Sequence, residues 1–285
     1  MNKFSILFCL FAVCLSTSCT SNKRQENRIM VTIEPQRYFA EQLAQPFFEI
    51  KTMVPNNISP ETYDPTPNQM AELAHCKAYW AIGDLGFEKA WLRKIKENFP
   101  KLLFYKTSQN VSPIIVEIPH GDHSHNGVDP HIWASPKEVD IMVQNMYESL
   151  VALDPENKEA YAENLKMVKN RIAGVDEAIK EYLMNSSQKA FIIYHPTLSY
   201  FARDYDLTQY SIETDGKEPS PELLKNIIQT AKEKNIQTIF IQQEFDQKNA
   251  ETIAKETGSR LVVINPLSYD WEEEMMKIAR ALSNE

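Results

Sequence analysis

From 136 to 183 the chain reads as helix almost throughout, broken only at Leu153-Asp154-Pro155, and on either side short β-rich runs alternate with helical patterns. Few folds accommodate that layout. A strand, a crossing helix and a second strand build a parallel sheet with the helix lying over one face. Before the long helical stretch the strand runs are 29–33, 50–54, 79–82 and 102–105, with helical patterns at Tyr38, Phe39 and Leu43, over 68–76 and over 87–99. After it come strands at 190–194, 238–242 and 261–264, with helices over 198–205, 221–233, 250–257 and 271–282. The segment 155–183 sets Tyr161, Leu165, Val168, Ile172, Val175 and Ile179 at spacings of three and four, an apolar stripe along a helix roughly 40 Å long. Such a helix suits either a spine between two lobes or ordinary packing inside one domain. The expected fold is α/β: two lobes, each a mostly parallel sheet flanked by helices, at 29–154 and 186–285, joined by one long rigid linking helix at 155–185.

The opening of the chain carries a different signal. Lys3 precedes an apolar run over 4–15, followed by Ser16-Thr17-Ser18-Cys19, the three-part form of a secretory signal. The run falls short of the roughly 20 apolar residues of a bilayer span. Small residues before Cys19 are similar to a bacterial lipobox, although Ser16 stands where an aliphatic residue is usual. The expectation is a signal peptide at 1–18, a lipidated Cys19 and a polar tether over 19–28, hence a periplasmic, membrane-anchored protein. Of four cysteines, that leaves only Cys76 in the mature domain, so neither an intramolecular disulfide nor a cysteine-based zinc site can form there. Cys76 is expected to be a buried structural thiol. A formal net charge of −9 argues against nucleic acid as a partner, which asks for a basic face.

Four of the six histidines fall within 120–131, and clustered imidazoles point to a transition metal. His120, His123 and His125 stand among Gly, Asp, Ser and Asn, a loop composition able to collect an ion but not to hold a rigid geometry. His131 is anchored between Asp129-Pro130 and Ile132-Trp133. Two further candidates lie just beyond strand ends, where open α/β sheets bind ligands: Glu61 and His195. His75 reads as structural. Trp133, Tyr63 and Tyr200 neighbour the candidates and fit either shielding of a site or plain packing.

Together these residues carry a resemblance. Ser59-Pro60-Glu61-Thr62-Tyr63-Asp64-Pro65-Thr66-Pro67, Ile82-Gly83, the histidine-bearing loop, Asp129-Pro130-His131-Ile132-Trp133, Tyr194-His195-Pro196 with Tyr200-Phe201, and Glu218-Pro219-Ser220-Pro221 resemble the zinc and manganese substrate-binding proteins of bacterial ABC importers. The resemblance spans essentially the whole mature chain. It implies two α/β lobes on a rigid helical backbone with a divalent metal in the cleft, delivery to an ABC permease in the inner membrane, and a monomer without enzymatic activity. By position, His131 and His195 fall on metal histidines of that family, and Glu61 replaces a third. Asn265 stands where manganese-type members place an aspartate, so the fourth ligand is open between Glu213, Glu244, Asp270 and water. The carboxylate improves the case for Mn2+ or Fe2+, while the histidine loop, with His120, His123 and His125 as accessory capture residues, favours Zn2+ as the expected cargo. Two other readings use the same residues: a zinc hydrolase with a His2Glu site, weakened by the lack of a His-Glu-x-x-His helix, and a surface adhesin or scavenger without a permease.

Overall fold

Short all-apolar runs become strands here because alternate residues enter different cores. In a computed structural model describing residues 27–120, 123–213 and 219–283, with backbone alone over 117–120 and 123–126, the first half contains β1 (Arg28–Val31), α1 (Glu34–Ala44), β2 (Glu49–Thr52), α2 (Pro67–Glu72), β3 (Ala78–Ala81), α3 (Gly86–Asn98) and β4 (Leu103–Lys106). The second half contains β7 (Ala190–Ile193), α6 (Ser199–Asp204), β8 (Thr208–Ser211), α7 (Pro221–Glu233), β9 (Thr238–Gln242), α8 (Lys248–Thr257), β10 (Arg260–Ile264) and α9 (Trp271–Leu282). Between the halves lie a hairpin, β5 (Ile115–His120) and β6 (His123–Val128), and two helices, α4 (Pro136–Leu153) and α5 (Lys158–Met184). The signal, Cys19, nearly all of the tether and Glu218 fall outside the described residues. No described helix is long and apolar enough to cross a membrane.

Both sheets are parallel and repeat one order, β2-β1-β3-β4 and β8-β7-β9-β10. In the first sheet Ile29, Val31, Ala78 and Trp80 face the α1, α4 and α5 side, while Met30, Tyr79 and Ala81 pack with Phe87 and Ile95 of α3 on the other. In the second, Phe191, Ile193 and Phe240 face the linking helices, and Ile192, Ile239 and Ile241 face α7 and α8. The two-residue period of a strand thus feeds two cores from one run. Helix starts follow equally local chemistry. Ser135 and Ser220 accept the amides of Glu138 and Leu223 at 3.3 and 3.2 Å, with Pro136 and Pro221 at the first helical position.

The 27-residue α5 buries Tyr161, Val168, Ile172, Val175, Ile179 and Leu183. That stripe belongs to a single apolar cluster reaching from β1 to β7, so the halves share a continuous interior. A second tie comes from the C-terminal helix. α9 packs on α5, and its start meets α1: Trp271 lies edge-on to Phe39 with centroids 5.0 Å apart, Tyr269 Oη donates to Glu41 Oε2 at 2.6 Å, and Tyr38 Oη bonds Glu272.

Two elements depart from the sequence reading. The polar composition around the histidines predicts a loop, because Gly, Asp, Asn and Ser are poor strand formers. The structure instead pairs that segment as an antiparallel hairpin, with His125 opposite Ile118 and His123 opposite His120. Partnering with the β-prone run that opens β5, Ile115-Val116, outweighs the poor propensity of β6. The second is β8, Thr-Gln-Tyr-Ser, an edge strand whose residues are half exposed and so lack the apolar run that marks its neighbours. Cys76 is half-buried, its Sγ 3.4 Å from the Glu72 carbonyl, with burial pushing the thiol up to about 12.

Candidate metal site

The loops that leave the C-terminal ends of the strands in both sheets converge between the halves. His131 sits just before the 3-10 turn Ile132–Ala134 that leads into α4. Two residues earlier, the buried Asp129 takes hold of it twice: Asp129 Oδ1 accepts the His131 backbone amide at 2.9 Å and faces ring Nδ1 at 2.7 Å. Burial alone would raise the Asp129 carboxyl, but the imidazole beside it, by charge and by hydrogen bond, holds it below the usual carboxylate range. For His131 the balance is reversed. Burial pulls the ring down, and the Asp129 carboxylate, aided by Glu61 and Glu213, holds it above the usual histidine value. Tyr200 backs this turn, its Oη donating to the Asp129 carbonyl at 2.9 Å.

His195 repeats the arrangement from the other sheet. It follows β7, and its Nδ1 lies 3.1 Å from Oε2 of Glu213, a buried carboxylate just beyond β8. Gln242, at the end of β9, clamps the His195 backbone, accepting its amide at 3.3 Å and donating to its carbonyl at 2.6 Å. The two imidazoles approach with centroids 5.3 Å apart and planes at 77°. With Nδ1 engaged in each ring, Nε2 is the nitrogen left to ligate, and a carboxylate behind a ligating histidine fixes its tautomer and raises its basicity. His195 Nε2 is buried and has no protein partner.

Glu61 enters on the loop between β2 and α2, fastened to the start of α3. Gly86 N donates to Glu61 Oε2 at 2.9 Å and Phe87 N to the Pro60 carbonyl at 2.8 Å. The approach demands glycine, because a Cβ on Gly86 would lie 2.2 Å from the Glu61 carbonyl oxygen. Capping α3 is therefore one role of this carboxylate, and it occupies only one oxygen. Oε1 is buried without a partner.

Glu61, His131 and His195 all line one cavity of about 10 Å³, together with Trp133, Thr197, Glu244, Pro266 and Leu267. Of the three residues left open as a fourth ligand, only Glu244 reaches it. Glu213 is behind His195, and the exposed Asp270 caps α9 by accepting the Glu273 amide. Asn265 Oδ1 accepts the Leu267 amide at 3.2 Å, inside its own turn. Burial raises the Glu244 carboxyl, with His195 pulling the other way. Tyr63 does not line the cavity and packs on Phe87; His75 is exposed. The side chains of His120, His123 and His125 lie outside the described residues. Among the described residues no group of three or more His, Cys, Asp or Glu side chains is gathered closely enough to hold a metal ion; Glu61, His131 and His195 meet as the lining of one cavity.

Residues 29–284 match the family model described as ZnuA, zinc-uptake complex component A, periplasmic. The chain belongs to the ZnuA family. It is similar to the high-affinity zinc uptake system protein ZnuA of Bacillus subtilis strain 168, 26% identical over 286 residues that cover 95% of this chain and 88% of that protein. The zinc-binding lipoprotein AdcA of Streptococcus pneumoniae serotype 4 is 26% identical over 96% of this chain. The chain spans only 57% of AdcA's length. A crystal structure of ZnuA superposes with a TM-score of 0.83 at 35% identity, covering 90% of this chain and 99% of that one. The two-lobed α/β architecture is thus the ZnuA fold. The supports of this site are not legible in the sequence: Asp129 reads only as an anchor, Glu213 reads as a possible ligand because the strand before it goes unrecognised and instead stands behind His195, and Gln242 and Gly86 act through backbone contacts.

Proposed function

We propose that this ZnuA-family chain is a periplasmic, lipid-anchored binding protein that takes up one divalent transition metal, Zn2+ foremost with Mn2+ or Fe2+ as competitors, on Glu61, His131 and His195, and delivers it to an inner-membrane ABC permease. One observation carries the reading: two imidazoles from opposite halves, 5.3 Å apart, each held through Nδ1 by a buried carboxylate, beside a buried carboxylate oxygen without a partner. That is the chemistry of a metal ligand set. The names of the relatives support zinc. All three donors come from one chain, so a monomer suffices. The hydrolase reading fits poorly, since sites for organic substrates run to roughly 300–1,000 Å³ and this cavity of about 10 Å³ has room for an ion alone.

Elemental analysis of chain purified without added metal, followed by competition between Zn2+ and Mn2+, tests it. The expected outcome is one tightly bound ion per chain, zinc displacing manganese, and no metal-dependent hydrolysis of ester, peptide or phosphate substrates. Slow turnover abolished in Glu61→Gln would revive the hydrolase. We assign the hairpin histidines an accessory capture role, so deleting 120–125 is expected to change Zn2+ affinity by less than about 10-fold, the lower end of what losing even an indirect ligand support costs. A deletion that abolishes binding refutes this division of roles.

A further inference from the structure

Among the described residues, six buried side-chain nitrogen or oxygen atoms lack a hydrogen-bond partner, and three of them, Glu61 Oε1, His195 Nε2 and Glu244 Oε2, belong to residues lining the same cavity. A buried polar atom without a partner carries a desolvation penalty, so native interiors contain few. Three around a space of about 10 Å³ share one cause, a cation that all three would coordinate. Of the residues open as a fourth ligand, Glu244 alone lines this cavity.

Its placement is built. Glu244 lies two residues beyond β9, the neighbour of β7 that leads to His195, and Gln242 fastens the two strand ends together through His195 and through Thr197 Oγ1 at 2.9 Å. The following Phe245 packs against the His195 ring with centroids 5.8 Å apart. Gln243, on its other side, reaches across to Asn57 in the loop that carries Glu61. The turn that carries Glu244 is therefore held at the seam between the two halves.

We propose that Glu244 is the fourth protein donor, completing a His2Glu2 shell with Glu61, His131 and His195. The assignment rests on the metal-uptake reading above and specifies its coordination. Two carboxylates and two neutral imidazoles balance the charge of a divalent ion, which offsets the loss of an imidazole at position 61. Zinc tolerates such a mixed set, and the second oxygen donor widens acceptance toward manganese.

Purified chain, loaded in turn with Zn2+ against a chromophoric chelator and with Co2+ for its visible absorption, provides the test in Glu244→Gln, with Glu244→Ala in reserve if the first does not fold. Removing a residue that merely supports a ligand costs about 10- to 100-fold in affinity, so loss of a direct donor should cost at least as much. The Co2+ bands should also weaken and shift as water replaces the carboxylate. Unchanged affinity and an unchanged Co2+ spectrum in the folded variant, while His131→Ala abolishes uptake, overturn the assignment of Glu244 alone. If His131→Ala also binds normally, the underlying site falls with it.

Discussion

Replacing His195 by alanine is expected to weaken Zn2+ binding by at least about 1,000-fold, and His131→Ala should do the same. The size follows from how the rings are held. Outer partners that only orient a ligand are worth about 10- to 100-fold, and here each imidazole is itself the proposed donor, with a buried carboxylate behind its Nδ1. Its removal would delete the proposed metal bond and take one partner from Asp129 or Glu213. The measurement needs two readouts. Chelator competition gives the affinity, and thermal unfolding gives an independent check, because ligand at about 1,000 times its Kd stabilises the native state by about 4 kcal/mol. Zinc should raise the melting temperature of the unaltered chain and leave those of the two variants where they were. A folded variant that retains the parent's zinc affinity and its thermal shift would remove the central claim of the proposed function.

How much of this was legible in the residues depends on how local the cause was. Strands such as 79–82 and 238–242 could be read because both faces are buried, so nearly every residue, Gln242 excepted, is apolar or β-prone, and they lie at Ala78–Ala81 and Thr238–Gln242. Helices opening on Ser-Pro could be read because the cap is a one-residue event, and α7 begins where Ser220-Pro221 says. β8 could not, since an edge strand of Thr, Gln, Tyr and Ser is defined by its pairing with β7 and not by its own composition. That omission hid the orienting role of Glu213, which only the register of β8 brings behind His195. The position of His131, His195 and Glu61 beyond strand ends follows from the α/β alternation, and the structure does bring these three to one cavity. Choosing among Glu213, Glu244 and Asp270 required knowing which side chains were already engaged, information that exists only once distant loops have met.

Trp271→Ala is expected to lower stability by about 3–5 kcal/mol, the range for emptying a large aromatic from a core, and so to lower the melting temperature by roughly 6–20 °C at about 2–4 °C per kcal/mol for a chain of this size. Few single residues join as many parts of the molecule. Trp271 opens α9 and is 1% exposed; its ring packs on Phe39 of α1, and its Nε1 donates to the Trp133 carbonyl at 2.6 Å. Trp133 in turn donates from its own Nε1 to the Pro266 carbonyl at 2.9 Å and lies 5.2 Å from His131, centroid to centroid. The chain of contacts runs from the first half, through the turn that carries His131, to the loop after β10. Alanine would leave a cavity where the halves meet and strip the Trp133 carbonyl of its donor, whereas Trp271→Phe keeps most of the volume and should lose only about 1–2 kcal/mol for the bond. Zinc affinity should fall in Trp271→Ala by less than in either histidine variant, because the donors remain and only their support slackens. A melting temperature within about 3 °C of the parent would mean that the shared interior does not hold the halves together, leaving α5 alone to set the spacing of the two imidazoles.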